Sequence, residues 1–139
     1  MKSLPIDEAR LRELVAAAKK ALENAYAPYS GYRVGAALLT GTGRIFTGAN
    51  VENAAYGESL CAERAAVAGA IAGGERELIA LAIAAENGKT AAPCGSCRQV
   101  IVEFSPECLV VMAGDDGITI RPARDLLPMA FKLVHDQES

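Results

Sequence analysis

The sequence contains no tryptophan, and aromatic residues make up only 5% of it. Its core must therefore be built from small and aliphatic side chains. Hydrophobic residues still reach 51%, with alanine abundant, which excludes a disordered chain. Long apolar runs are missing too. The longest, such as Leu78–Ala85, fall well short of the ~20 residues that span a bilayer. The opening "MKSLPIDEAR" has no apolar segment of the signal-peptide kind, so a cytoplasmic protein without a membrane partner is expected. No cluster of Lys and Arg stands out beyond the pair Lys19–Lys20. With a formal charge of -3 and a pI near 5.2, this is a poor footprint for polymeric nucleic acid, whereas small neutral substrates are compatible. Histidine occurs once, as His135 in a charged tail, and reads as solvated.

What is present fits one domain, residues 1–139, long enough to bury a core without disulfides. Leu11, Leu14, Val15, Ala18 and Leu22 recur at helical spacing, which predicts an amphipathic helix over Ile6–Ala25 started by Asp7. "RVGAALLT" and "RIFTGAN", joined by the turn Gly41–Gly43, predict a hairpin. "CAERAAVAGAIAGG" reads as a helix with a glycine stop. "ELIALAIAA" and "CLVVMAG" read as buried strands on either side of a short helix, "CGSCRQVIVEF". "ITIRP" is a fifth short strand and "ARDLLPMAF" a helical turn. Together they predict an α/β fold, a three-layer α-β-α sandwich around a mixed sheet of about five strands.

Four cysteines in a reducing setting point to metal ligation or thiol chemistry before disulfides. Cys94 and Cys97 are three apart at a helix start, so their sulfurs share a face. Cys61 opens another helix. Helix N-termini favour thiolates. If the two starts converge, three sulfurs meet, which is the protein ligand count of a catalytic zinc site with its fourth position open. Glu63, two residues after Cys61, is placed for general acid/base work. Three thiolates make zinc a weak Lewis acid, and Arg64 and Arg98 are candidates to donate to sulfur and withdraw charge. A CxxC pair alone also fits a structural zinc half-site or a redox pair. Cys108 could complete a four-ligand site, but in "CLVVMA" a buried free thiol is the commoner fate.

The segments "CAE" and "PCGSCRQ" resemble the zinc-dependent cytidine deaminases of the small homotetrameric type, and the likeness extends from "AYAPYSGYRVGAALLT" through "TGANVENAAYG" to "DLLPMAF". The resemblance implies one Zn²⁺ per chain on Cys61, Cys94 and Cys97, with Glu63 moving protons. It implies that Asn50 and Glu52 grip the ribose, that the backbone at Ala62 and Pro93 bonds the base, and that Tyr32 packs beside the nucleoside. Tyr56 and Phe131 match positions that serve neighbouring subunits, and Arg64 the arginine that bonds cysteine sulfur. The implied reaction is hydrolysis of cytidine and 2′-deoxycytidine to uridine products and ammonia, a step of pyrimidine salvage. Glu58 and Ala49 depart from the family's pattern in the surrounding loops.

Three alternatives stand beside this reading. A deaminase of another aminopyrimidine nucleoside, such as blasticidin S, shares similar motifs, although "NVENAAY" favours cytidine. A polynucleotide deaminase would want a basic groove. A zinc-stabilised binding protein would not need the open fourth position or Glu63.

Overall fold

The computed structural model describes residues 4–133; His135 lies outside them. Helix α1 spans Glu8–Ala21 and is capped by Asp7, whose side chain accepts from the Arg10 N–H. It ends four residues short of the expected Ala25, because Leu22–Asn24 tighten into a 3₁₀ turn. Strands β1 (Val34–Thr40) and β2 (Ile45–Ala49) form the expected hairpin. Helix α2 covers Ala62–Ala72 and stops at Gly73–Gly74, where Gly74 takes a φ of 96° that side chains resist. Strand β3 (Leu78–Ala85), helix α3 (Gly95–Phe104), strands β4 (Leu109–Gly114) and β5 (Gly117–Pro122) and the short helix α4 (Ala123–Leu126) follow.

The five strands lie in the order β2-β1-β3-β4-β5. All neighbours are antiparallel except β3 and β4, which are parallel. That exception follows from the connection: strand, helix α3, strand is a crossover, which returns the chain in the same direction. Alternation along the strands divides the core into two layers. Ala37, Leu39, Ala80, Ala82 and Val111 face α1 with Leu14, Val15 and Ala18. Leu38, Leu81, Ile83 and Val110 face α2 and α3 with Ala66, Val67, Ala70 and Ile101. The result is an α-β-α sandwich around a mixed five-stranded sheet, as expected.

The small residues set how closely the layers approach. A Cβ at Gly48 would overlap the Ala62 carbonyl oxygen and come within 2.6 Å of the Ala66 nitrogen. Glycine in β2 thus lets the start of α2, with Cys61 and Glu63, press directly onto the sheet. Among the described residues no helix is long and apolar enough to cross a membrane.

Candidate active site

Cys61 is the N-cap of α2, Cys94 is the N-cap of α3, and Cys97 sits in the first turn of α3. Both helices pack on one face of the sheet with their N-termini together. The Cys61 and Cys94 sulfurs lie 3.9 Å apart and those of Cys94 and Cys97 3.4 Å apart. All three fall within 4.8 Å of one another. Sulfurs bound tetrahedrally to zinc at about 2.3 Å stand about 3.8 Å apart, so the spacing fits the ion.

Charge supports the same fit. Arg64, three residues after Cys61 and on its face of α2, donates from Nη2 to the Cys61 sulfur at 3.6 Å and to the Ser59 carbonyl at 3.3 Å. Its Nε is buried without a hydrogen-bond partner. A guanidinium in that position calls for negative charge beside it. Three thiolates, a divalent ion and one guanidinium sum to neutrality.

The thiols are not equivalent. Burial pushes the Cys97 thiol up, aided by the Glu63 carboxylate beside it. Burial also acts on Cys94, but the N–H groups of Cys97 and Ser96 at the helix start, with the neighbouring thiols, outweigh it and hold Cys94 below its ordinary value. Cys108 stands apart at the foot of β4, fully buried, its thiol pushed up to about 12 by burial alone.

Glu63 occupies the first turn of α2 and is 6% exposed. Burial raises its carboxyl above the ordinary range, while its own backbone N–H, Cys97 and Arg64 pull the other way. A carboxyl poised in this manner can both take and return a proton.

A cavity of about 410 Å³ opens in front of the thiols, within the range of small-ligand sites. Tyr32, Asn50, Cys61, Ala62, Glu63 and Cys94 line it. Ala62 is the first residue of α2, so its N–H has no partner within the helix and is available to a ligand. The Asn50 amide is braced: Oδ1 accepts from the Val34 N–H and Nδ2 donates to the Tyr32 carbonyl, each at 2.9 Å. It ties Tyr32 to the mouth of the cavity.

Other expected site residues lie elsewhere. Glu52 borders a separate depression with Tyr29, Ser30, Tyr56 and Ser59. Its carboxylate accepts from the Ser30 hydroxyl and from the N–H groups of Ser30 and Tyr29, which hold it below the ordinary range despite some desolvation. Tyr56 is 77% exposed and meets Tyr29 edge-on. Phe131 is 68% exposed, and its carbonyl accepts from Gln99 Nε2. Neither aromatic ring lines the cavity of its own chain.

One expectation is corrected. Arg98 does not reach a sulfur. Its Nε donates to the Pro93 carbonyl at 2.8 Å and its Nη1 to the Leu126 carbonyl at 2.9 Å. The Pro93 carbonyl accepts the Arg98 bond with one of its two lone pairs, and the proline side chain is fully buried. The cavity wall is Thr90, Ala91 and Ala92, with Val34 and Ile83 from the sheet. Sequence reasoning passed over these five. The signal for the first three was their place directly before Cys94.

The matches to known proteins agree with this geometry. Residues 8–113 match the family described as the cytidine and deoxycytidylate deaminase zinc-binding region. A cytidine deaminase from Sporosarcina psychrophila is 46% identical over 125 residues, covering 87% of this chain and 90% of that protein. One from Halalkalibacterium halodurans is 43% identical, covering 85% and 91%. The crystal structure of a cytidine deaminase from Burkholderia pseudomallei superimposes with a TM-score of 0.83 at 48% identity, covering 86% of this chain and 98% of that one. With a family match over most of its length and the three thiols brought together where that family's zinc-binding region falls, this chain belongs to the zinc-dependent cytidine and deoxycytidylate deaminase family.

Proposed function

We propose that this protein hydrolyses cytidine and 2′-deoxycytidine to uridine and 2′-deoxyuridine, releasing ammonia, as a single catalytic domain serving pyrimidine salvage in the cytoplasm. The observation that carries the reading is the buried Glu63 beside three converging thiols, with Glu63, Cys61 and Cys94 lining a cavity of about 410 Å³. Zinc held by Cys61, Cys94 and Cys97 supplies Lewis acidity that brings the pKa of water toward neutrality.

The rest of the chemistry falls to the chain. Glu63 takes a proton from the attacking water and delivers it to N3 of the base as oxygen adds at C4. It then carries the second proton to the departing amino group, so water and cytidine become uridine and ammonia. Its burial beside the thiols keeps the carboxyl where it can pass a proton in either direction. Arg64 offsets the thiolate charge through Cys61. The Ala62 N–H would donate to the base's carbonyl oxygen, the Pro93 carbonyl would accept from its amino group, and Tyr32 would pack beside the ring. Asn50 would engage the sugar from the cavity lining, and Glu52, two residues on, from the depression it shares with Tyr29 and Ser30. Both are already hydrogen-bonded, so they would act as preset acceptors and donors and would not need to reorganise.

The exposed Tyr56 and Phe131 support a homotetramer in which a neighbour's aromatic residues finish each cavity. An isolated chain leaves the mouth open and two large rings in water. Blasticidin-type deamination is not favoured, since the relatives above are cytidine deaminases. Incubating the protein with cytidine, 2′-deoxycytidine and blasticidin S in parallel, followed by ultraviolet absorption, tests the assignment. Conversion of the first two and sparing of the third is expected. Turnover of blasticidin S alone would reverse it.

A further inference from the structure

The loop before Cys94 forms the cavity wall through Thr90, Ala91 and Ala92, yet its backbone is almost unsupported. Among the described residues, the backbone of residues 90–93 makes one hydrogen bond, and its donor is Arg98 Nε on the Pro93 carbonyl. The same guanidinium holds the Leu126 carbonyl at the end of α4. One turn-start residue of α3 thus joins two segments more than thirty positions apart. The planar fork of arginine suits this task, because donors on different edges meet two acceptors at fixed angles. The next residue, Gln99, holds the Phe131 carbonyl, so the chain from Leu126 to Phe131 is fixed at both ends to adjacent residues in the N-terminal half of α3. Between those ends Met129 keeps a φ of 60°, a conformation that persists in a non-glycine residue where its surroundings impose it.

We propose that Arg98 is a positioning residue for the reaction: by bridging the Pro93 and Leu126 carbonyls it sets the 90–94 wall against the reacting centre. It touches neither substrate nor sulfur. The activity arm of its test rests on the cytidine reading above; the exchange arm does not. A displacement of about 1 Å at a reacting site costs about a hundredfold in rate.

The test uses Arg98→Met, which keeps the stem and removes the donors, and Arg98→Lys, which keeps the charge. Each is loaded with zinc and measured for kcat and KM with cytidine, for zinc retention against a chelator, and for amide hydrogen exchange. In Arg98→Met, kcat per zinc-loaded chain is expected to fall about ten- to a hundredfold, with KM changed by less than about threefold. Exchange should quicken at residues 90–95 and 126–131, and zinc should be retained. Arg98→Lys should regain part of the lost rate. If Arg98→Met does not fold, Arg98→Lys decides alone, through a smaller fall in kcat and faster exchange at 90–95. A wild-type kcat per zinc-loaded chain, or unchanged exchange at 90–95, overturns the proposal. If the wild-type protein leaves cytidine untouched, the functional reading fails, and the exchange arm still decides whether Arg98 positions the wall.

Discussion

The sulfurs of Cys61 and Cys94 lie 3.9 Å apart although 33 residues separate them in the chain. Each caps a helix, and the two helices start side by side on the same face of the sheet. Cys108, the remaining cysteine, is sealed in the core, where burial pushes its thiol up to about 12. Metal content should follow this division. Cys108→Ser should keep about one zinc per chain, and Cys61→Ala should lose it. Metal analysis of the two purified variants checks this, and the opposite pattern would remove Cys61 from the ligand set.

Much of this was legible because the signals were local. The continuous apolar run in "ELIALAIAA" and the glycine stop after "CAERAAVAGAIA" produced elements within a residue or two of those observed. The CxxC spacing and the "CAE" triplet placed sulfurs and carboxylate on helix starts. What escaped were directions. Arg64 is three residues from Cys61 and shares its face of the helix. Arg98 is one residue from Cys97 and is turned about 100° away from it, so proximity in sequence misled. The Arg98 bonds to the Pro93 and Leu126 carbonyls and the placing of Glu52 beside Tyr29 and Ser30 depend on tertiary packing. No short motif reports that.

Glu63 should be separable from metal binding, since its carboxyl is not needed to complete the three-sulfur set. Glu63→Gln should retain zinc and fold while losing at least about a hundred- to ten-thousand-fold in kcat, the span typical of general acid/base groups. Turnover within a few-fold of wild type would take Glu63 out of the mechanism.

No lysine or arginine lines the cavity among the described residues, and Glu63 contributes an acid to it. A 5′-phosphate would enter without a partner. We expect kcat/KM for cytidine 5′-monophosphate to fall at least about tenfold below that for cytidine. Equal specificity constants in a direct competition assay would contradict the charge argument.

Shared sites make a prediction that a self-contained chain does not. Glu63→Ala and Phe131→Ala proteins, each poorly active, are dissociated, mixed and reassembled. If Phe131 completes a neighbour's cavity, some hybrid sites take an intact Glu63 from one chain and an intact Phe131 from another. Activity should then exceed the sum of the parents. Absence of recovery, with subunit exchange demonstrated and the Phe131→Ala parent folded, would confine Phe131 to its own chain.

The central claim is that the three thiols and Glu63 together make a hydrolytic deaminase. Its most direct test is to incubate purified protein with cytidine and to quantify uridine, ammonia and zinc in one sample. One uridine and one ammonia should appear for each cytidine consumed, with about one zinc per chain. A chelator should abolish turnover, and added zinc should restore it. A folded protein carrying its zinc that leaves cytidine unchanged would contradict the claim.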